Sequence, residues 1–374
     1  MTAKLEYHTK HVKALDGLRG YAAILVTFYH AILHLEPALI ARVLSPAIDK
    51  IDKPDLWTKL VLMLLNGSTA VLLFYVLSGA VLCQSLLKAP LSPLSLVLFI
   101  ARRILRLFPA LFFCMLVMWS LSQVYNFFGT QQFPHITLLG AIKNALLLDT
   151  RIHGPSTSIQ IEALATPFIL LFAFIYQRYS IFAVILLFSL AIIAIQEPFL
   201  VFFLPNMHAS VLVFFTGMLV VLPEAKIFFS TITTTKLIFV LIGAFLFRHL
   251  VHIQSLPGLI AQVMLLGALL GFMRHASHPT GLHYFLENKF SQFLGRISYS
   301  YYLLNIPVLF VIWFTPGLLP KVSWSHPVLG GFITGSIAVL VTLPFAHLLH
   351  KYCEIFFINL GKRVTNKYLP GEQQ

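Results

Sequence analysis

Residues 13–30 read KALDGLRGYAAILVTFYH, an apolar run that contains Asp16, Arg19 and His30. With the residues up to 35 the run is long enough to cross the hydrocarbon core of a membrane, which takes about 20 residues. Arg19 and His30 are eleven residues apart, which at 100° per residue is within about 20° of three full turns. They therefore share one helix face, roughly 16 Å apart along the axis, and Asp16 lies on that face one turn before Arg19, where it can pair with it.

Ionisable side chains such as Asp16, Arg19 and His30 have a high free-energy cost inside a membrane. A charged residue at the centre of a spanning helix costs at least ~2.5–3.5 kcal/mol, so each is a candidate functional residue. For Arg19, a structural alternative is a side chain that reaches the headgroups near the helix end. A histidine deep in the span and on the same face favours a functional interpretation.

The composition of the whole chain agrees with a membrane protein. The 374 residues are 58% hydrophobic and 10% charged, and the mean hydropathy is +0.86. Soluble domains carry roughly 25% charged residues. The sequence therefore excludes a soluble multidomain protein, a disordered chain and a disulfide scaffold.

We count ten stretches long and apolar enough to span, with nine or eleven remaining open. They are approximately 15–35, 60–87, 104–124, 158–177, 179–195, 208–222, 236–251, 257–273, 297–315 and 327–349. The segment 136–148 is too short and predicts an interfacial or re-entrant helix. The chain is thus predicted to be an all-α polytopic transmembrane bundle that forms a single integral-membrane domain over residues 1–374.

The basic residues orient this predicted bundle. The net charge is +13, and about twice as many Lys and Arg residues lie on the side of the two termini as on the other side, which predicts cytoplasmic termini. The partners expected on this ground are membrane lipids, and the predicted location is the inner, or plasma, membrane. The basic charge gives no reason to expect a nucleic-acid partner.

Residues 101–111, ARRILRLFPAL, place three arginines at the cytoplasmic end of the third span. Arg103 and Arg106 are three residues apart, and Arg102 and Arg106 are four apart, so the three cluster on the helix. They are either an ordinary membrane anchor or an anion site, because guanidinium groups suit phosphate oxygens.

Residues 156–168, STSIQIEALATPF, place Ser158 and Glu162 on one helix face. Because Glu162 is predicted about one turn into the span, we expect it at the depth of His30. A carboxylate beside an imidazole is the arrangement that general base catalysis uses. A structural glutamate bonded to a neighbouring helix is the alternative. In the second span, Ser78 and Gly79 predict a close helix crossing.

Metal and disulfide chemistry have little support in the sequence. The cysteines Cys83, Cys114 and Cys353 lie in or beside apolar segments, and none is in CxxC spacing. The histidines of the loop around residues 275–283 have no carboxylate or cysteine set to complete a site. We therefore expect no metal.

Over about residues 13–358 the chain resembles the acyltransferase 3 family, membrane enzymes that O-acylate carbohydrates. The first span is similar to the family's opening Arg-x10-His block, which falls on Arg19 and His30. The stretch RRILRLFPAL resembles its Arg-x-x-Arg block, on Arg103 and Arg106, and STSIQIEALATPF its Ser-x-x-x-Glu block. The stretches FYVLSGAVL, LGRISYSYYLLNIPV and HKYCEIFF resemble further blocks.

The chain departs from the family pattern at a few positions. Thr157 stands where the family often has Trp, and Ile355 follows Glu354 where a proline is frequent. Asn305 occupies the position of a histidine in the family's Tyr-Leu-x-His-x-Pro block. If that histidine takes part in chemistry or acceptor binding elsewhere, this chain must use an amide.

The resemblance implies an acyltransferase with acetyl-CoA or another acyl-CoA as donor and a carbohydrate or glycolipid hydroxyl as acceptor. On this hypothesis Arg19, Arg103 and Arg106 bind the coenzyme phosphates, and His30, oriented by Glu162, is the base. A relay through Ser158 or Ser78 stays open, and direct transfer is preferred. The alternatives are a non-carbohydrate acceptor, or a transporter or flippase of a lipid-linked glycan.

Overall fold

The computed structural model describes residues 12–87, 92–129, 133–179, 181–230, 233–250, 255–315, 317–318 and 326–368, without the side chains of Thr234 and His249. The fold is all-helical, with 84% helix, and no strand occurs in these ranges. The predicted fold class is therefore confirmed.

Sixteen α-helices follow one another in the described part of the chain. The first eight are α1 (Lys13–Leu35), α2 (Leu56–Leu64), α3 (Gly67–Leu87), α4 (Pro93–Phe127), α5 (Leu138–Ala145), α6 (Gly154–Leu164), α7 (Thr166–Tyr179) and α8 (Ile181–Ile193). The others are α9 (Met207–Val220), α10 (Ala225–Phe229), α11 (Thr234–Leu250), α12 (Leu256–His275), α13 (Gly281–Glu287), α14 (Lys289–Phe314), α15 (Pro327–Leu349) and α16 (Ile355–Tyr368).

The helices are long and apolar enough for an integral membrane protein. Seven helical runs of at least 18 residues qualify as candidate spans, and α8 and α9 are shorter apolar helices. Each predicted stretch contains a helix, but the count of ten spans stays a prediction. The terminal segments 1–11 and 369–374 lie outside the described residues, so the cytoplasmic placement of both termini also stays a prediction.

Several helix boundaries differ from the sequence-based expectation. The stretch 60–87 is divided into α2 and α3, because the side chain of Asn66 accepts a hydrogen bond from the backbone N–H of Thr69 and caps a new helix. Helix α4 starts eleven residues earlier than predicted, at a capping box formed by Ser92 and Ser95. Its 35 residues span roughly 52 Å, more than a hydrocarbon core needs. The predicted short helix within 136–148 is α5, which has only eight residues.

Helix α1 lies at the centre and packs against α3, α14 and α15. Its Thr27 is hydrogen-bonded to Tyr301 at 2.9 Å, and further along Ala31 packs in one cluster with Ile306 of α14. The two helices therefore run parallel, and residues of α1 and α14 can be compared in depth. We call the end of the bundle where α1 begins the basal end.

The predicted close crossing at Ser78 and Gly79 is confirmed. A Cβ atom added at Gly79 would collide with the backbone carbonyl of Phe214 in α9. From the other side, Gly217 lies equally close to the backbone of Val76. Because neither glycine has a side chain, the two backbones can touch, which fixes α3 and the adjacent Ser78 firmly in the bundle.

Candidate active site

A cavity of about 220 Å³ lies in the basal half, between α1, α3, α4, α6 and α14. Four arginines line it: Arg19, Arg102, Arg103 and Arg106. Glu162 is the carboxylate among its described lining residues. Four positive charges facing one negative charge give the cavity an electrostatic preference for a polyanion.

Arg103 is the most informative of these arginines because it is only 8% exposed. Its Nη2 donates to the backbone carbonyl of Glu162 at 2.9 Å and lies 3.4 Å from the Glu162 carboxylate oxygen Oε1. Its Nη1 is buried and has no hydrogen-bond partner among the residues that the structure describes. A buried donor without a partner costs about 1–3 kcal/mol, so Arg103 is prepared to bind an oxygen that enters the cavity.

Glu162 is also bound by the second helix of the cavity wall. Ser78 Oγ donates a hydrogen bond to Glu162 Oε1 at 2.8 Å. Glu162 is therefore bonded to neighbouring helices, which is the structural role that the sequence left open for it. Its partners are Ser78 of α3 and Arg103 of α4, and all three side chains line the cavity.

The predicted pairing of Glu162 with His30 is not formed. Glu162 shares its cavity with Arg19, and His30 lies roughly 16 Å further along α1. The prediction failed because α6 begins at Gly154 rather than near 158, so Glu162 lies about two turns into the helix. Glu162 consequently lies at the depth of Arg19.

His30 is on the face of α1 that carries Arg19, but it is not among the residues that line the cavity. Its ring stands edge-on to the ring of Tyr29, with centroids 5.9 Å apart. Within the described ranges no side chain or backbone group is hydrogen-bonded to its imidazole. Both ring nitrogens are thus uncommitted to another part of the protein, as a base that must meet a substrate requires.

Arg19 experiences the charges of several helices. It is attracted electrostatically by Asp16, Glu162 and Glu354 and repelled by Arg106. The structure therefore brings Arg19, Arg103 and Arg106 together around one cavity, as the sequence predicted. Arg102 also lines this cavity. Its membership of the RRILR cluster was the only sequence signal for it.

The loop before α6 sets the depth of Glu162. His153 is fully buried there, with Nε2 3.0 Å from the backbone carbonyl of Leu303 and Nδ1 2.8 Å from Ser156 Oγ. Ser156 in turn donates to Asn144 Oδ1 at 2.7 Å. Burial lowers the pKa of His153 to about 4, and its two contacts anchor the loop to α14 and to the start of α6.

Ser158 faces α14 rather than Arg103. Its Oγ accepts a hydrogen bond from the hydroxyl of Tyr302 at 3.0 Å, and both residues line the cavity. Sequence reasoning did not select Tyr302, although it lies in the tyrosine-rich stretch before Asn305. The hydroxyl of a tyrosine in the wall adds a donor near the arginines.

A family model described as an acyltransferase domain matches residues 12–349. The chain belongs to the acyltransferase 3 family. Together with the apolar helices, this makes the protein a membrane acyltransferase. Comparisons with curated proteins and with solved structures found no match.

The acyltransferase 3 resemblance drew attention to Asn305, and its surroundings are unusual. Asn305 is 0% exposed, and neither its Nδ2 nor its Oδ1 has a hydrogen-bond partner among the residues that the structure describes. It follows Tyr301 by one turn of α14, as His30 follows Thr27 by nearly one turn of α1, so Asn305 lies at the depth of His30. Within the described ranges, this acyltransferase therefore has an unsatisfied amide at the position where the resemblance implied a histidine.

Proposed function

We propose that this membrane acyltransferase takes an acetyl or short acyl group from acyl-CoA on the cytoplasmic side of the inner membrane. The acceptor is a hydroxyl of a carbohydrate, such as a surface polysaccharide or glycolipid. The observation that carries the proposal is the cavity lined by four arginines, one of them Arg103, whose Nη1 has no partner within the described part of the chain. Phosphate groups are the ligands that such guanidinium clusters bind best.

The donor extends along α1 in this proposal. Its phosphates bind at Arg19, Arg103 and Arg106, and its extended pantetheine arm follows the helix face that leads from Arg19 to His30. The axial separation of roughly 16 Å is of the order of the length of such an arm. The thioester then lies near His30, and the acceptor approaches from the opposite side of the membrane.

His30 acts as the base in direct transfer. Its imidazole removes the proton from the acceptor hydroxyl while the oxygen attacks the thioester carbonyl carbon. A C–O bond forms, the C–S bond breaks, and the imidazolium returns the proton to the coenzyme thiolate. Alcohols are weak nucleophiles near pH 7, so a positioned base is worth about 10²–10⁴ in rate. Glu162 keeps Arg103 in place and does not orient the base.

The test measures thiol release from acetyl-CoA by the purified full-length protein, together with acetylation of surface polysaccharide by mass spectrometry with and without the gene. We expect His30→Ala to abolish both and to leave the protein in the membrane. His34→Ala is the matched control, because His34 lies one turn further on α1 and stacks on Trp313.

Near-normal transfer by His30→Ala would show that another group is the base. No thiol release by the wild-type protein with any hydroxyl acceptor would instead favour the transporter or flippase alternative. Release with an amine or lipid acceptor alone would exclude the carbohydrate acceptor and retain the acyl-CoA donor.

A further inference from the structure

The segment from His350 to Tyr368 lies beyond the residues matched by the family model, which end at 349. A five-residue π-helix, His350–Glu354, joins α15 to α16. A π-turn contains one residue more than the α-helical turn it replaces, and such turns often occur at functional sites. The extra residue changes the face that α16 presents to the rest of the bundle.

The π-turn is fixed to α14 by a buried carboxylate. Glu354 is 5% exposed. It accepts a hydrogen bond from the hydroxyl of Ser300 and lies 3.0 Å from Nδ1 of His350. Ser300 directly follows Ser298 and Tyr299, which line the arginine cavity. The π-turn is thereby attached to the back of the cavity wall.

Helix α16 also packs against α4, near Arg102 of the cavity wall. A Cβ atom added at Gly361 would lie 3.4 Å from Cγ of Arg102 and 3.5 Å from Cδ1 of Leu105. Gly361 therefore lies over the aliphatic stem of Arg102 with room for one methyl group at van der Waals distance but not for a larger side chain, and the side chain of Arg102 lines the cavity. The residues of α16, IFFINLGKRVTNKY, contain no carboxylate. No acidic side chain of α16 can draw the Arg102 guanidinium out of the cavity.

We propose that Gly361 is a positioning residue for the donor site: by packing α16 on the stem of Arg102, it directs that guanidinium to the phosphates of the acyl-CoA donor. The inference rests on the proposed function, because the ligand is the coenzyme of that reaction. The π-turn at His350–Glu354 sets the helical phase that brings Gly361, rather than a residue with a large side chain, against Arg102.

The first experiment measures binding of coenzyme A to the detergent-solubilised full-length protein by calorimetry. Gly361→Leu places a bulky side chain against Arg102, and we expect the Kd to rise about tenfold, as it does for Arg102→Gln, because one charge-assisted contact is lost. The double variant is expected to bind no more weakly than Arg102→Gln alone, since both changes remove the same contact. Asn359→Leu adds the same bulk at an exposed position of α16 and is the matched control.

The second experiment alters the phase of α16. Deletion of Phe356, which is 60% exposed, leaves the π-turn in place and turns the following residues of α16, Gly361 included, by about 100° relative to α15. We expect the deletion to weaken coenzyme A binding to the level of Arg102→Gln. Phe356→Ala keeps the phase and serves as its control.

The outcomes are distinguishable. If Gly361→Leu binds coenzyme A like the wild type, or if its effect adds fully to that of Arg102→Gln, Gly361 does not act through Arg102 and the inference is wrong. If the wild type binds no coenzyme A, the proposed function fails first. Thermal melting identifies variants that do not fold, and Gly361→Val then replaces Gly361→Leu.

Discussion

Ser78 and Glu162 are joined by a hydrogen bond of 2.8 Å between α3 and α6, with the serine hydroxyl as donor. The sequence places no evident base at a fixed local spacing from Ser78, and this bond supplies one. A carboxylate that accepts the hydroxyl proton is what an acyl-serine relay needs. The bond therefore makes the choice between direct and relayed transfer testable at one position.

Direct transfer predicts that Ser78→Ala loses no more than several-fold in rate, because the serine only holds the carboxylate of Glu162. It also predicts no covalent adduct when the protein is mixed with acetyl-CoA in the absence of acceptor. Intact-protein mass spectrometry measures the adduct. Accumulation of an acetyl group on Ser78, together with an inactive Ser78→Ala variant, would establish the relay.

Replacement of Arg103 by lysine separates charge from geometry. Lysine keeps the positive charge but loses the fork in which Nη2 binds the Glu162 carbonyl and Nη1 remains available. We expect the KM for acetyl-CoA to rise about tenfold or more, with a smaller change in kcat, in steady-state assays. Arg178→Lys, at the end of α7, is the control. Equal KM values for Arg103→Lys and Arg178→Lys would show that Arg103 does not bind the donor.

Substitution of two buried asparagines is expected to change the stability of the fold in opposite directions. The Asn305 amide has no hydrogen-bond partner in the described ranges, so Asn305→Leu removes an unsatisfied amide and is expected to stabilise the fold by about 1–3 kcal/mol. Asn144 is equally buried but binds Ser156 and the backbone carbonyl of Asp149, so Asn144→Leu is expected to destabilise. Thermal and denaturant unfolding in detergent measure both. A destabilised Asn305→Leu would show that the amide binds a water molecule or a ligand.

The lowered pKa of His153 predicts that the free energy of unfolding depends on pH. Its pKa is about 4 in the folded protein and about 6.5 when exposed, so the unfolded chain binds the proton more readily between these values. The stability linked to this lowered pKa is fully present above pH 6.5. It declines as the pH falls towards 4, by roughly 3 kcal/mol in total.

Melting temperatures of the wild type and His153→Gln between pH 7.5 and 4.5 test this. The variant is expected to show a shallower loss of stability on acidification, whereas His278→Gln, at an exposed loop position, should retain the wild-type slope. An unchanged slope in His153→Gln would mean that His153 is protonated in the folded state.

The sequence was sufficient for the class of fold and for much of the cavity. Hydropathy and the helical period are local properties, so the apolar stretches and the shared face of Arg19 and His30 could be predicted without a structure. The spacing of Arg103 and Arg106 likewise placed them side by side on α4. Their convergence with Arg19 was expected from the donor site that the family resemblance implies.

Tertiary structure decided which groups meet across helices. The depth of Glu162 depends on where α6 begins, and that is fixed by the burial of His153 beside Leu303. The contact of Gly361 with Arg102 depends on one additional residue in the π-turn. Neither the depth of Glu162 nor the contact of Gly361 can be seen in the sequence. A shift of two turns or a rotation of about 100° leaves the hydropathy pattern unchanged. The same shift or rotation gives the side chains of the helix different partners.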